Sequence, residues 1–260
     1  MTDAAHLLKL YDEQLRVETA SAASVARLGP LRLATYSGGR GFITYPRLGD
    51  ADAGAVDRLV PEALEHYRAD PAIVRVEWKT RGHDHAPGLH EALIDNGFVP
   101  DEPESIMVGE AAALVADMPL PADVTLRRVT SEPDVRAMSA MADEAFGEPE
   151  SREMADALLR RLGLGTGMEL WVAEAAGRMV GAGRLEPVAD SDFAGLWGGA
   201  VLRQWRQRGI YRALTAARAR SALAGGKTLI HSDSTEYSRP ILERSGLIKV
   251  STTTPYLWRR

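Results

Sequence analysis

Arg203-Gln204-Trp205-Arg206-Gln207-Arg208-Gly209 stands between an apolar strand pattern ending at Val201-Leu202 and an amphipathic helix pattern opening at Ile210-Tyr211-Arg212. Arginines crowded at the start of a helix, with a glycine among them, are suited to holding a pyrophosphate. The first turn of a helix offers backbone N–H groups without intrahelical acceptors and the positive end of the helix dipole. Gly209 lets the backbone approach phosphate oxygens, and Arg206, Arg208 or Arg212 would add charge. The competing reading is a solvated basic turn before an ordinary helix. Neither G-x-x-x-x-G-K-[ST] nor G-x-G-x-x-G occurs, which argues against a triphosphate or dinucleotide loop. Just upstream, Trp197-Gly198-Gly199-Ala200 places two glycines inside a strand. That predicts a bulge or the close approach of an extended, amide-bearing ligand.

The elements that must position this loop follow from local pattern. A strand at 124–129 precedes a helix from about Glu132, with Ser131 as N-cap and Pro133 in the first turn. A second helix covers 151–162. Segments 169–173 and 179–185 form a hairpin around Ala176-Gly177. Then come a strand at 194–202, a helix at 210–224 with Ile210, Ala213, Leu214, Ala217, Ser221 and Ala224 on its buried stripe, a strand at 227–232, a short helix at 237–244 and strands to the end. In the first half, 31–36 and 41–45 flank Ser37-Gly38-Gly39-Arg40 as a hairpin. Ala53 to Tyr67 reads as a helix, Val74 to Trp78 as a strand, and Leu89 to Ile94 as a short helix closed by Asn96-Gly97. Ala92-Leu93-Ile94-Asp95-Asn96-Gly97-Phe98-Val99 echoes Ile241-Leu242-Glu243-Arg244-Ser245-Gly246-Leu247-Ile248, which favours two copies of one fold.

The 260 residues suffice for two domains with proper cores, and two prolines in Met118-Pro119-Leu120-Pro121 place the boundary at 120/121. Zero cysteines remove disulfides, thiolate–zinc sites and a cysteine nucleophile. Residues 1–120 carry 11 Lys+Arg and 19 Asp+Glu, and residues 121–260 carry 20 and 17. Neither half has the strongly basic balance of a nucleic-acid module. The mildly basic second half suits a phosphate-bearing ligand. With no apolar run of ~18 residues and no secretory signal pattern, a soluble cytoplasmic protein is expected.

The loop resembles the acyl-CoA-binding motif R/Q-x-x-G-x-G/A of the GCN5-related N-acetyltransferase (GNAT) family. Arg206-Gln207-Arg208-Gly209-Ile210 matches, and Tyr211 stands where a second Gly or Ala is usual. The element order across 124–260 is similar to the family's, and Ser238 to Leu247 resembles the helix that ends in its Gly-Phe. The resemblance implies an α+β fold of two GNAT-like domains in tandem, each a twisted mixed sheet flanked by helices. It implies transfer of acetyl from acetyl-CoA to a small-molecule or peptide amine by direct attack. Backbone N–H groups of Arg206, Gln207, Arg208, Gly209, Ile210, Tyr211 and Arg212 would hold the pyrophosphate. Backbone groups of Val201, Leu202 and Arg203 would pair with pantetheine, and the N–H near Val201 would polarise the thioester carbonyl. The strands at 196–202 and 228–232 would splay to admit the cosubstrate. Leu242 occupies the position of the family's tyrosine acid, with Tyr237 nearby. Glu186 is the candidate base, with Asp192, Asp233 and His231 as rivals. A non-catalytic CoA-binding sensor or interaction module is the alternative.

The first half reads as a degenerate copy without a CoA site. Its counterpart loop carries Asp50 and Asp52, with Asp57 in the helix beyond, where a polyanion would need to sit. It would supply structure, a wall of the acceptor site, or a homodimer surface. His83-Asp84-His85 with His90-Glu91 has no standard metal-ligand spacing, so no metal is expected. Ser232 to Thr235 are expected to cap the following helix rather than touch the pantetheine arm, and Trp171, Trp197 and Trp205 to pack in the core or against the cosubstrate.

Overall fold

The computed structural model describes residues 3–49, 53–117 and 119–260. In chain order its elements are α1 (Ala4–Gln14), β1 (Ser24–Leu28), β2 (Leu31–Tyr36), β3 (Arg40–Thr44), α2 (Ala53–Arg68), β4 (Arg75–Arg81), α3 (Leu89–Asp95), β5 (Val99–Pro100), β6 (Glu104–Glu110) and α4 (Ala111–Leu114). There follow β7 (Val124–Val129), α5 (Glu132–Phe146), α6 (Arg152–Gly163), β8 (Glu169–Ala175), β9 (Arg178–Pro187), β10 (Phe193–Val201), a 3-10 turn at Arg203–Trp205, α7 (Ile210–Ala224), β11 (Leu229–Ser234), α8 (Arg239–Arg244) and β12 (Ile248–Arg259).

The chain forms two compact units, Asp3–Ile106 with Lys249–Arg260, and Met107–Ile248. This corrects the division at 120/121. Residues 107–120 fall in the C-terminal unit, and the last twelve residues return to the N-terminal one. Proline content marks where regular structure stops, whereas hydrogen-bonded pairing decides which unit a strand completes.

In the N-terminal unit β1/β2 and β2/β3 pair antiparallel, β3/β4 pair parallel, and β12 lies antiparallel to β4. The crossover between the parallel strands is α2, as such a connection requires. Val56, Val60 and Leu64 recur along one face of α2 and are buried with Trp78, Phe98 and Trp258. The C-terminal unit repeats the scheme. Strands β8/β9 and β9/β10 pair antiparallel, β10/β11 pair parallel, α7 is the crossover and α8 follows. Strand β7 adds to the β8 edge, and β6 pairs with β11 at the other end.

Local chemistry explains most boundaries. Ser131 accepts the Asp134 N–H at the start of α5, and Gly147 at φ +76° closes that helix. Ser151 caps α6. Gly97 and Gly246, at φ +83° and +104°, end the two echoed helices. Pattern reading gave no sign of α1, β1 or β6. The exposed β1 lies at a sheet edge, and β6, at Glu104–Glu110, is buried over most of its length and lacks alternation. The buried side of α7 also differs from the expected stripe. It runs through Leu214, Arg218 and Ala222, because four-residue steps place them in one row and an arginine is not read as a core residue. Ala217 is half-buried, Ser221 reaches Glu169, and Ala224 is exposed.

Trp258 stands two residues from the chain end yet belongs to the N-terminal core, opposite Val76 on β4. Trp258→Ala is expected to cost about 3–5 kcal/mol, as large-to-small changes in packed cores do. Urea unfolding monitored by circular dichroism measures it, and a loss below about 1 kcal/mol would show that the last strand is dispensable.

Candidate functional site

The site in the C-terminal unit starts where two parallel strands stop pairing. Strands β10 and β11 are in register only at Phe193↔Leu229, Ala194↔Ile230 and Gly195↔His231. One residue further, the Ser232 hydroxyl donates to the Leu196 carbonyl at 2.9 Å, in place of a ladder bond. Ser232 and Ser234 therefore belong to β11 and do not cap α8. The turn before α8 is instead closed by the Thr235 carbonyl, which accepts the Ser238 and Arg239 N–H groups.

On its other edge β10 follows β9 without a break to Trp197↔Arg184, then resumes at Ala200↔Ala182. Gly198 and Gly199 thus stand against Gly183 alone, which is the expected bulge. Gly198 has φ +57°. A Cβ on Gly199 would lie 2.7 Å from the Tyr211 ring. This explains the aromatic residue at the departing motif position: the strand gives up a side chain where the helix carries a ring. Burial raises the Tyr211 phenol above its usual pKa.

Beyond the bulge the Leu202 N–H donates to the Val180 carbonyl at 3.0 Å. Successive peptide groups on a strand face opposite edges, so the Val201 N–H points to the edge that β11 has left. Leu202 and Val201 are thereby separated: the first N–H is spent on the sheet and the second faces the fork. The Val201 carbonyl accepts Arg206 Nε at 3.1 Å, and Arg206 Nη2 donates to the Ala145 carbonyl at 2.8 Å. Arg206 therefore braces the loop. Arg208 lies over the Trp205 ring, 4.8 Å from its centroid, while Arg203 and Arg212 are exposed.

Gln207 at φ +64° and Gly209 at φ +81° turn the chain into α7. For a glutamine this left-handed conformation costs about 1–2 kcal/mol. The intrahelical ladder begins with Ala213 N–H on the Gly209 carbonyl, so Ile210, Tyr211 and Arg212 present N–H groups outside it. The first turn holds no acidic residue, and no side chain caps it. The loop is thus a concave run of donors with positive charge around it, which fits a pyrophosphate.

Residues paired across strands share a face. Glu186 and His231 both sit beside Gly195, one on each neighbouring strand, so all three face the same side of the sheet where the fork opens. A Cβ on Gly195 would lie 2.3 Å from Trp197 Nε1 and 3.0 Å from His231 Nε2. The two rings meet edge to face, with centroids 5.2 Å apart. Glu186 is held by guanidinium groups: Arg161 reaches both carboxylate oxygens, with Nη1 3.1 Å from Oε1, and Arg184 Nε donates to Oε1 at 3.1 Å. Asp233 lies two residues along β11 on the same face, half-buried. Asp192 is exposed at the opposite end of β10, where its carbonyl accepts the Thr228 and Leu229 N–H groups.

Tyr237 is 91% exposed in the turn between β11 and α8. Leu242 is buried among Ile230, Ala222 and Leu247. No hydroxyl therefore stands where the resemblance would put a proton donor. Pattern reading did not identify Gly183, Gly195, Arg161, Arg184 or Arg218. The strand glycines were the available signal, since each marks a place where another group comes close.

The N-terminal unit has a fork of its own, and it is filled. Strands β3 and β4 pair from Arg40↔Arg75 to Ile43↔Trp78. Past that point the Arg16 carbonyl accepts Thr44 Oγ1 at 2.7 Å and Arg81 Nη2 at 2.6 Å, and Arg16 Nε donates to the Tyr45 carbonyl at 3.2 Å. Arg16 also pairs with Asp12 at 3.0 Å and, in close contact, with Asp84. Burial and the neighbouring Asp84 push the Tyr45 phenol well up. His83 joins this cluster through Asp12 and Ser251. Among the described residues no group of three or more histidines and carboxylates is arranged to hold a metal ion. The acidic turn at Asp50 and Asp52 lies outside the described residues.

Arg16→Ala should cost about 3–5 kcal/mol, because it removes a buried guanidinium and leaves the half-buried Asp84 and Asp12 carboxylates without that partner. Leu242→Tyr should cost about 1–3 kcal/mol by overpacking. Urea midpoints test both, and an unchanged midpoint for Leu242→Tyr would reveal room for a tyrosine.

Residues 135–246 match the Acetyltransferase (GNAT) family. No curated protein matches the chain in sequence. Among solved structures, the chain is similar to a GCN5-related N-acetyltransferase from Kribbella flavida (TM-score 0.67, 17% identity, 97% of this chain and 93% of that one). It is also similar to a GCN5-related N-acetyltransferase from Sphaerobacter thermophilus (0.63, 18%, 88% and 76%) and to a tandem GNAT protein from the clavulanic acid biosynthesis pathway (0.62, 16%, 94% and 85%). At such identities the likeness is one of fold. The C-terminal unit thus carries a GNAT acetyltransferase-family domain, and GNAT folds cover most of the chain.

Proposed function

We propose that the chain is an N-acetyltransferase that uses acetyl-CoA and an amine acceptor, with one CoA site, in the C-terminal unit. The observation that carries this reading is the open fork of β10 and β11 continuing into a donor-rich loop at 203–212. When bound, acetyl-CoA would supply an acetyl group activated as a thioester. The N–H groups of Ile210, Tyr211 and Arg212 bind its pyrophosphate, with Arg203 and Arg212 adding charge. The Val201 N–H hydrogen-bonds the acyl carbonyl, a donor fixed in place before charge develops.

Transfer forms a C–N bond to the amine, breaks the C–S bond, and takes one proton from the amine nitrogen onto a base, which passes it through solvent to the departing thiolate. His231 is the residue we assign to receive that proton. It stands at the fork beside Gly195, on the face that Glu186 shares; both Glu186 oxygens are engaged by Arg161 and Arg184, and His231 has contacts of its own. Glu186 instead holds the two arginines in place on the acceptor side. A CoA-binding module without turnover is the second reading, favoured by Leu242 in the core position of the family's acid.

Calorimetric titration should give one acetyl-CoA per chain for wild type. Gly209→Glu should weaken binding on the order of 100-fold or more, since a carboxylate beside the pyrophosphate adds a few kcal/mol of repulsion. Wild type that binds no acetyl-CoA would remove the transferase and the module readings together. Thiol release across a panel of amines then separates the two, and the chain, with zero cysteines, adds no thiol of its own. His231→Gln should lower kcat by about 10²–10⁴-fold with little change in acetyl-CoA affinity.

A further inference from the structure

Arg218 is 1% exposed, and its guanidinium lies under the sheet. Among the described residues it makes no ion pair. Its Nε donates to the Leu214 carbonyl at 3.0 Å, Nη1 to the Arg184 carbonyl at 3.0 Å and more distantly to the Trp197 carbonyl at 3.5 Å, and Nη2 reaches Thr215 Oγ1 at 3.4 Å. Burial pulls its pKa down to about 10, so it is still charged at neutral pH. An arginine held in this way, without a carboxylate, is costly, and hydrophobic residues fill most equivalent space.

The place of the guanidinium accounts for the cost. Arg184 and Trp197 are partners across β9 and β10, and they form the last regular pair before the bulge. Gly183, which faces Gly198 and Gly199, leaves the space that the guanidinium fills: a Cβ there would be 2.5 Å from Arg218 Nη1. The charge therefore sits directly beneath the one-residue insertion in β10 and binds the carbonyls at its leading edge. That insertion inverts the alternation of everything after it. Without it, the Val201 N–H would face β9 instead of the fork.

We propose that Arg218 is a positioning residue for the acyl group: it locks the β10 bulge in register, so that Val201 presents its N–H to the acyl carbonyl. The inference rests on the acetyl-CoA reading and adds a division of labour to it. Arg218 acts on the acyl end of the ligand, and the 203–212 loop on the nucleotide end.

The test uses the full chain with acetyl-CoA, and with CoA as the ligand lacking the acyl carbonyl. Three proteins are compared: wild type, Arg218→Met, and Gly183→Ala, which displaces the guanidinium and keeps the charge. Thermal melts confirm folding. Isotope-edited infrared spectra of ¹³C-carbonyl acetyl-CoA read the hydrogen bond to the acyl oxygen directly. On wild type the carbonyl band should move to lower frequency. On both variants at least about half of that shift should vanish, while CoA affinity stays within about threefold of wild type. An unchanged band in either folded variant overturns the proposal. So does a loss of CoA affinity as large as that of acetyl-CoA, because Arg218 would then be supporting the whole site. If Arg218→Met does not fold, Gly183→Ala decides alone. Wild type that binds neither ligand would instead defeat the acetyl-CoA reading on which the proposal rests.

Discussion

The candidate site of the C-terminal unit depends on two parallel strands that part. Three registered pairs hold β10 to β11, and then each strand must satisfy its edge in another way. Ser232 lends a hydroxyl to Leu196, Arg206 lends a guanidinium to Val201, and the remaining N–H groups face the gap. A buried strand edge without partners is costly. Here it is tolerated because the edge groups are matched one by one and the remainder suit an amide-rich ligand. The helix after the fork adds donors of the same kind, so a single stretch from Phe193 to Arg212 carries both the open strand edge and the donor-rich helix start.

The N-terminal unit shows the same strand-and-helix scheme with the opposite outcome. Its β3 and β4 also diverge, but the segment after α1 enters the gap, where the Arg16 carbonyl accepts the side chains of Thr44 and Arg81 and its guanidinium donates to the Tyr45 carbonyl. Asp12 and Asp84 neutralise the buried guanidinium. One unit thus leaves its fork open, and the other closes it with its own chain.

The two buried arginines make a useful contrast. Arg16 is paired with carboxylates and serves cohesion, as buried ion pairs do when their geometry is complete. Arg218 has carbonyl and hydroxyl acceptors only, and its position beneath Gly183 ties it to the shape of one strand. Three glycines, 183, 198 and 199, clear space for the guanidinium, the bulge and the Tyr211 ring. Side-chain removal on the strand and side-chain bulk on the helix are therefore complementary.

The sequence by itself determined nearly every element of the second half, because its caps and periodicities are local: Ser131 before α5, Gly209 before α7, Gly246 after α8. It also located the loop, since arginines and a glycine ahead of a helix have meaning without any partner. Strand glycines at 198 and 199 announced the bulge. Only the tertiary structure decided which sheet the last strand completes, because β12 finds its partner Arg75–Arg81 far away in sequence and no local pattern encodes that pairing. Only it brought Glu186, Gly195 and His231 abreast, joined Arg16 to the N-terminal fork, and put Arg218 under the sheet. In sequence an arginine on a helix reads as a solvated charge. What it becomes depends on the carbonyls that the fold sets in front of it.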